Sequence, residues 1–199
     1  FVMILSSNSA HREHVEVAAA RGLPMFCEKP IASTLADAQS MVQTVERAGV
    51  LNHVNYMLRF LTPFQEMRKI FQEGRLGRLL SVNITRMRGF GLYANGARHW
   101  AVTNPEESGG WLIHHACHGI DFVYWLAGEF DTVCAQTQTT LPGSPELVWG
   151  MARLKNGATA VIADSVCAAR YLTVALVGSQ AQLLLNADTD AEIILTHEG

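Results

Sequence analysis

The sequence predicts an α/β protein in which half of a parallel, doubly wound sheet precedes an α+β domain with a mostly antiparallel open sheet. In the first third of the chain, short continuous apolar runs alternate with segments of helical spacing, which is typical of parallel strands buried on both faces. In the last third, strand-like runs follow one another without an intervening helix. With 49% hydrophobic and 17% charged residues among 199, the chain also has the composition of a folded protein.

The first part of the chain predicts a strand–helix–strand–helix–strand unit. Its links are short, which favours a parallel sheet with right-handed crossovers. Gly22 and Gly49 end the two helices, and Ser33 or Thr34 can cap the second one. The predicted strands are 1–5, 24–27 and 50–57, and the predicted helices are 10–21 and 35–48.

The pattern changes near residues 57–62, which predicts two domains, 1–58 and 59–199. The second domain is predicted to contain helices at 62–73 and 110–127, a strand at 79–88, a long loop at 89–108 and strands at 131–140, 147–154, 158–166, 171–177 and 182–195. Loops as long as the one at 89–108 are usually functional. Because Leu172, Val174 and Leu176 alternate in an already apolar sheet, we expect a second copy of the chain to cover one sheet face.

Charge, hydropathy and cysteine content exclude several classes of function. The net charge is −3, and no run of Lys and Arg exceeds two residues, so a nucleic-acid-binding surface is not expected. No apolar stretch is long enough to span a membrane. The four cysteines form no CxxC pair and predict free thiols in a reducing compartment, the cytoplasm. Phe1 already stands inside an apolar run, and we expect the chain to be a fragment cut from a larger protein at both ends.

Polar residues follow each of the three predicted parallel strands. The turns at Ser6–Asn8, Glu28–Pro30 and Tyr56–Arg59 should lie along one edge of the sheet, because ligands of such sheets bind beyond the carboxyl ends of the strands. The first turn offers hydroxyls and an amide, the second an ammonium group, and the third a phenol and a guanidinium group. The alternative for Ser6–Asn8 is a turn that only begins a helix.

Lys29 stands between a buried strand and a proline, where its side chain cannot easily turn into solvent. Lysines are normally solvated, so this position is unusual. A partly desolvated lysine at the carboxyl edge would have a lowered pKa and could donate a hydrogen bond to a substrate oxygen. The Lys29–Pro30 bond is also a candidate cis peptide, since X–Pro bonds adopt the cis form at modest cost.

A cluster of histidines follows Gly109-Gly110. On a helix, His114, His118 and Asp121 would share one face, with Cys117 pointing off it. One interpretation is a zinc site, although no third ligand stands at a recognised spacing. Another is acid/base chemistry by His118. The plainer alternative is a polar helix face or partly buried histidines with structural hydrogen bonds, but the density of histidines favours function.

Three signatures in the same order and spacing resemble the glucose–fructose oxidoreductase/inositol dehydrogenase family, Gfo/Idh/MocA, over residues 1 to about 128. They are Ser-Asn-Ser-Ala-His11 with Ala19, Gly22 and Glu28-Lys29-Pro30; Tyr56-Met-Leu-Arg59-Phe60 with Pro63 and Gly74-Arg-Leu-Gly77; and Ser108-Gly-Gly110 with His118-Gly-Ile-Asp121. Glu-Lys-Pro alone would be a weak signal, whereas the three signatures in register are specific.

The resemblance implies an NAD(P)-dependent dehydrogenase with an N-terminal Rossmann domain and a C-terminal α/β domain whose open sheet forms homo-oligomers. It implies catalytic roles for Lys29 and for His118, the acid/base. We expect NAD or NADP as the cofactor, with NAD favoured. The residues expected at the cofactor are Ser6, Ser7, Asn8, His11, Glu28, Lys29 and Pro30. We expect Tyr56, Arg59, His99, Trp100 and His114 to line the substrate pocket, with a loop surface as the alternative for His99 and Trp100.

The chain departs from the family pattern in two respects. The phosphate-binding GxGxxG is absent from the 199 residues, and we expect it to lie upstream of Phe1 together with the residue that separates NAD from NADP. His114 stands where the family commonly has Asp, four residues before the catalytic histidine. An imidazole cannot supply a fixed negative charge, so either the proton relay or the substrate must differ.

The leading hypothesis is an oxidoreductase that transfers a hydride between nicotinamide and a secondary alcohol of a sugar, inositol or related polyol. In this hypothesis His118 accepts the hydroxyl proton, Lys29 stabilises the same oxygen, and His114 orients His118 or binds a substrate hydroxyl. The alternatives are an NAD-dependent glycosidase of the same fold and a non-catalytic member that senses a nucleotide or binds a partner protein. A zinc hydrolase built on His114 and His118 ranks third, and no metal site is predicted.

Overall fold

The computed structural model describes residues 1–89, 100–139, 145–166, 168–186 and 192–197. Within these ranges the chain forms one small parallel sheet with two helices, followed by a larger mixed sheet with further helices. The α/β class and the mostly antiparallel second sheet that the sequence predicts are confirmed.

The first sheet is entirely parallel and has the strand order β1-β2-β3. It consists of β1 (Val2–Ile4), β2 (Met25–Cys27) and β3 (Asn52–Val54), with α1 (His11–Ala20) and α2 (Leu35–Ala48) as the connecting helices. Residues from β1, β2 and both helices share one apolar core, which includes Ile4, Val15, Met25 and Met41. Parallel pairing of β2 with both β1 and β3 sets the carboxyl ends of the three strands along one edge.

Local sequence signals define the bounds of α2. The hydroxyl oxygen of Thr34 accepts a hydrogen bond of 3.1 Å from the backbone N–H of Asp37, which caps the first turn. Gly49 adopts the left-handed conformation with φ of 62°, which ends the helix at little steric cost. The predicted bounds, 35–48, are therefore confirmed.

The second sheet has seven strands in the order β10-β9-β8-β4-β7-β6-β5, and only the β4–β7 pair is parallel. Its strands are β4 (Leu79–Met87), β5 (Phe130–Gln138), β6 (Leu147–Leu154), β7 (Thr159–Ser165), β8 (Tyr171–Gly178), β9 (Ala181–Asn186) and β10 (Glu192–His197). The helices of this part are α3 (Thr62–Gln72), α4 (Trp100–Thr103), α5 (Pro105–Ser108) and α6 (Cys117–Ala127). Among the described residues, no helix has the length and hydropathy needed to cross a membrane.

Three sequence predictions for the second part are wrong in detail. The strand expected at 182–195 is two strands, β9 and β10, which pair as an antiparallel hairpin. The described end of the loop expected at 89–108 forms the short helices α4 and α5. The helix expected at 110–127 begins with a π-helical turn, Leu112–Ala116, before α6 continues it.

The expected oligomer face also needs correction. Leu172, Val174 and Leu176 do not face outward but lie in the main core, together with apolar residues of α3 and α6. The other face of the sheet carries exposed apolar side chains, including Trp149 and Met151 on β6. Alternation indicated an apolar face correctly, but the chain's own helices cover that face.

Candidate active site

The three turns predicted to share an edge do so, because each follows one strand of the parallel sheet. Ser6–Asn8 follows β1, Glu28–Pro30 follows β2, and Asn55 with Tyr56 follows β3. The carboxylate of Glu28 accepts hydrogen bonds from the amide of Asn55 at 2.7 Å and from the backbone N–H of Lys29 at 3.1 Å. Asn55, which the sequence analysis did not single out, thus joins the second and third turns.

His11 joins the first and second turns from inside the protein. Its ring is fully buried, with Nδ1 3.1 Å from the carbonyl oxygen of Pro30 and Nε2 3.2 Å from that of Ser6. The Lys29–Pro30 bond next to it is cis, as the sequence suggested. His11 therefore supports the turn that carries Lys29, and its predicted contact with a cofactor stays a prediction.

Lys29 reaches from this edge to the second domain. Its Nζ donates a hydrogen bond of 2.8 Å to the backbone carbonyl oxygen of His114, 85 residues further along the chain. Burial lowers the pKa of the ammonium group below its ordinary value. The lysine is thus a partly desolvated donor next to the histidine cluster.

The histidine cluster lies on the π-helical turn and the start of α6. Two glycines precede it, Gly109 and Gly110, with φ of 77° and 85°. A Cβ at Gly109 would lie 2.8 Å from the backbone oxygen of Ser33, so a larger residue would push the first domain away. The glycine pair allows the close approach of the two domains at this point.

His118 is buried and has a strongly lowered pKa. Only 6% of it is exposed, and its Nδ1 has no hydrogen-bond partner among the residues that the structure describes. Burial, followed by the positive charges of Arg86 and Lys29, lowers the pKa of His118 to about 2. The imidazole is therefore neutral, and it lies within electrostatic range of Lys29.

His114 contacts both domains. The amide nitrogen of Asn8 lies 3.2 Å from its Nδ1, and the ring of Trp100 meets it edge-on with the centroids 5.0 Å apart. Among the predicted pocket residues, Trp100 therefore lies beside His114, whereas His99 falls outside the described residues. Tyr56 lies on the other side of the cluster, with its ring centroid 6.5 Å from that of His118.

The other predicted polar residues have contacts within the chain. Both Nε and Nη2 of Arg59 donate to the carboxylate of Asp121, the first at 2.8 Å, which joins the turn after β3 to α6. The hydroxyl of Ser6 bonds the ring of His14 at 2.9 Å, and that of Ser7 lies 3.4 Å from the hydroxyl of Ser9. The roles of Arg59, Ser6 and Ser7 toward ligands stay predictions.

A buried polar network behind the cluster was not found from the sequence. Asp164 on β7 accepts hydrogen bonds from Trp111 Nε1 at 3.0 Å and from His115 Nδ1 at 2.8 Å. Arg86 on β4 donates to the carbonyl oxygen of His115 at 3.2 Å, and both charged side chains are almost completely buried. Arg86 and Asp164 follow apolar residues at alternate positions of their strands, Val82 and Ile84 on β4 and Ala160 and Ile162 on β7, and this break in an apolar face is the signal that could have revealed them.

An apolar groove of about 820 Å³ lies near this site. Its lining is contributed by residues 30–35, α6, β5 and β6, and it includes Tyr56, Cys117 and Asp121. Its described lining does not include Lys29, His114 or His118. Pro30 and Cys117, the chain neighbours of Lys29 and His118, do line it, so the groove adjoins the candidate site.

The donor set of the cluster does not favour a metal site. Within the described ranges, no three side chains of the types His, Cys, Asp and Glu gather closely enough to hold a metal ion. Asp121, the third member of the predicted polar face, is paired with Arg59 instead. The arrangement is better suited to proton transfer and hydrogen bonding.

The fold and this site define a protein of the Rossmann class, in which a dinucleotide-binding type of sheet precedes a mixed-sheet domain. Two family models match the chain: "Oxidoreductase family, NAD-binding Rossmann fold" over residues 1–56, and "GFO/IDH/MocA C-terminal domain" over residues 64–184. The chain belongs to the Gfo/Idh/MocA oxidoreductase family.

Individual relatives agree with this assignment. The chain is 30% identical over 144 residues to levoglucosan dehydrogenase of Pseudarthrobacter phenanthrenivorans. The aligned region covers 72% of this chain and 37% of the relative. The chain is 33% identical over 131 residues to inositol 2-dehydrogenase of Streptomyces avermitilis, and this match covers 64% of this chain and 34% of the relative. A solved structure of levoglucosan dehydrogenase in complex with NADH superimposes with a TM-score of 0.86 at 26% identity, covering 100% of this chain and 60% of that one. The chain thus spans roughly a third to three fifths of the length of these relatives.

The residues present fit one part of an NAD group. Hydroxyl, amide and carboxylate groups gather at the carboxyl edge, where sheets of this type bind dinucleotides. Beside them, Nδ1 of His118 is buried without a partner among the described residues, as expected where a ligand completes a site. The 199 residues contain no GxGxxG, so this fit concerns the edge near Lys29 and not the pyrophosphate.

Proposed function

We propose that the full-length protein is an NAD(P)-dependent dehydrogenase that acts on a secondary alcohol of a sugar, inositol or related polyol. The observation that carries the proposal is the 2.8 Å hydrogen bond from Nζ of Lys29 to the carbonyl oxygen of His114, which links Lys29 to the segment that carries His118. The two residues belong to different domains, yet the charge of Lys29 contributes to the lowered pKa of His118. Levoglucosan dehydrogenase and inositol 2-dehydrogenase, two relatives of this chain, support the substrate class.

We assign proton transfer to His118 and oxygen binding to Lys29. The neutral imidazole of His118 can accept the hydroxyl proton of the alcohol, and Nζ of Lys29 can donate a hydrogen bond to the same oxygen as negative charge develops there. Tyr56, Arg59, His99 and Trp100 would surround the sugar. His114 would bind a further hydroxyl of the substrate.

We propose NAD as the preferred cofactor, with NADP as the alternative. Ser6, Ser7, Asn8, His11, Glu28, Lys29 and Pro30 would hold the nicotinamide side of it at the carboxyl edge. When bound, the cofactor supplies the hydride acceptor or donor, and the protein supplies placement. The NADH complex of levoglucosan dehydrogenase supports the preference for NAD.

A second candidate is an NAD-dependent glycosidase of the same fold, which oxidises, eliminates and reduces again without net redox change. The observation that favours it is His114, which replaces the Asp expected from the family pattern. This candidate uses the same Lys29 and His118.

We further propose that residues 1–58 are the C-terminal half of the cofactor domain and that 59–199 bind substrate and form a homo-oligomer through the open sheet. Exposed Trp149 and Met151 on the outer face of β6 support the oligomer. Their replacement by Glu should reduce the mass of the full-length protein in light scattering, and a mass that stays unchanged would contradict the proposal. The free thiols of Cys27, Cys117 and Cys134 support a cytoplasmic location.

The test is to incubate the full-length protein with NAD or NADP and a panel of polyols, free sugars and aryl glycosides. A dehydrogenase produces reduced nicotinamide in proportion to substrate. A glycosidase releases the aryl group without net change in nicotinamide absorbance. Absence of both reactions, with cofactor binding intact in calorimetry, would favour a non-catalytic member instead.

A further inference from the structure

Asn8 connects the first turn of the cofactor edge to the second domain. Its side chain is buried, with 3% of the residue exposed. Its amide nitrogen Nδ2 donates a hydrogen bond of 2.7 Å to the carbonyl oxygen of Ser108 and lies 3.2 Å from Nδ1 of His114. One amide group thus has two neighbours from the same part of the second domain.

The carbonyl of Ser108 fixes the orientation of this amide. A carbonyl oxygen can only accept, so the amide nitrogen of Asn8 must face it, and the flipped amide would set two oxygens against each other. Ser108 is itself held in place, since its hydroxyl donates to the carbonyl oxygen of Ala101 at 2.9 Å and accepts from the N–H of Gly110 at 2.8 Å. The acceptor that orients Asn8 is therefore a rigid part of the fold.

The second hydrogen of the amide decides the protonation of His114. Because Nδ2 of Asn8 is a donor, the Nδ1 atom that it faces must be the unprotonated acceptor of the ring. A neutral imidazole with a bare Nδ1 carries its hydrogen on Nε2. The neutral Nε2–H tautomer is the form of His114 that this geometry selects.

The adjacent His115 has the opposite arrangement. Its Nδ1 lies 2.8 and 2.9 Å from the two carboxylate oxygens of Asp164, which can only accept when ionised. Its Nε2 lies 3.3 Å from Nη2 of Arg86, which can only donate. Consecutive histidines are thus held in opposite tautomers by different partners.

We propose that Asn8 is a positioning residue that fixes His114 as the Nε2–H tautomer, so that His114 donates a hydrogen bond to a sugar oxygen and does not take the alcohol proton. The claim that a sugar oxygen accepts this hydrogen bond rests on the proposed function, whereas the assignment of the His114 tautomer does not. The alcohol proton then passes to His118, the neutral imidazole one helical turn further on. An imidazole donor in place of the family's carboxylate selects substrates that offer an acceptor oxygen at this position.

The tautomers can be observed directly by NMR of the full-length protein labelled with ¹⁵N in its histidine rings. In the unsubstituted protein, His114 should show a protonated Nε2 and a bare Nδ1, and His115 should show the reverse. Single substitutions His114→Gln and His115→Gln assign the signals by their loss. A protonated Nδ1 on His114 would overturn the proposal.

Two variants then test whether Asn8 sets the tautomer. Asn8→Asp places an acceptor against Nδ1, and His114 should change to the Nδ1–H form. Asn8→Ala removes the donor, and His114 should show a mixture of both forms. The His115 signal serves as the matched control, because its pattern should persist in any variant that folds. Loss of the His115 pattern in Asn8→Asp would mean that this variant does not fold, and Asn8→Ala then serves as the test. An unchanged Nε2–H signal of His114 in a folded variant would contradict the role of Asn8.

Kinetics separate the failure of this inference from the failure of the proposed function. Gln keeps an N–H near the position of Nε2, so His114→Gln should retain most of the affinity for the sugar. His114→Leu should raise KM about tenfold with little change in kcat, since one hydrogen bond to substrate is lost. Equal KM values in the two variants would show that His114 does not donate to substrate. If the protein shows no turnover, the proposed function is wrong, but the tautomer assignment still stands.

Discussion

Nζ of Lys29 donates a 2.8 Å hydrogen bond to the backbone carbonyl oxygen of His114, which ties the edge of the parallel sheet to the helix that carries His118. The bond places a buried ammonium group beside the histidine cluster without using any of the histidine ring nitrogens.

Replacement of either Lys29 or His118 by Ala should lower turnover by roughly a hundredfold or more, which is the usual size of an acid/base contribution. Cofactor affinity should fall more for Lys29→Ala, because only Lys29 stands on the cofactor edge. Steady-state turnover and calorimetric titration with NAD measure the two effects. The exposed His197→Ala variant is the matched control, and full turnover by His118→Ala would remove the role assigned to it.

The pH profile for alcohol oxidation should lack an acid limb near the ordinary histidine pKa. His118 must be neutral to accept a proton, and its pKa is lowered to about 2, so activity is not lost as the pH falls through 6.5. Lys29 stabilises the developing negative charge best as an ammonium group, and burial lowers its pKa, so activity should decline as the pH rises through a value below 10.5. The measurement is kcat/KM against pH for the full-length protein, and an acid limb near 6.5 that is absent from His118→Gln would be inconsistent with this account.

Substitution of His114 by Asp should be tolerated or should raise dehydrogenase activity. It restores the residue expected from the family pattern, and the amide of Asn8 can donate to a carboxylate as it does to Nδ1. A sugar hydroxyl can donate to the carboxylate where it accepted from the imidazole. The comparison of kcat/KM between His114→Asp and His114→Leu checks this, and equal losses in both variants would argue against it.

The buried network behind the cluster should contribute strongly to stability. Arg86→Met removes a cation from beside Asp164 and leaves a buried carboxylate with less compensation, so the free energy of unfolding should fall by about 3–5 kcal/mol. Lys155→Met, which breaks the exposed pair with Glu129, is the matched control and should have little effect. Urea denaturation measures both, and losses of similar size in the two variants would show that burial of the network is unimportant.

The sequence allowed much of the fold to be predicted because its signals are local. Thr34 and Gly49 define α2, and apolar runs define the parallel strands whose carboxyl ends share one edge. The π-helical turn could not be predicted, since spacing alone does not distinguish it from an α-helix. It depends on tertiary contacts, in which Lys29 and Arg86 bind the successive carbonyl oxygens of His114 and His115.

Candidate site residues could be chosen from the sequence, and their roles stay predictions, but the hydrogen bonds among them could not be predicted. Lys29 and His118 were identified from their local settings and from the resemblance to the family, without knowledge of how the two domains meet. The pairing of Arg59 with Asp121, and that of Asn8 with His114, join residues far apart in the sequence. No periodic pattern encodes such pairs, because they arise only when one domain packs against the other.

A double-mutant cycle on kcat tests most directly whether Lys29 and His118 act on one substrate oxygen. The full-length protein would be compared with Lys29→Ala, His118→Ala and the double variant, in single-turnover experiments with saturating cofactor and polyol. Residues that act as a unit are strongly non-additive, so the double variant should be about as slow as the slower single variant. A double variant whose loss equals the product of the two single losses would show that the residues act independently, and it would contradict the account.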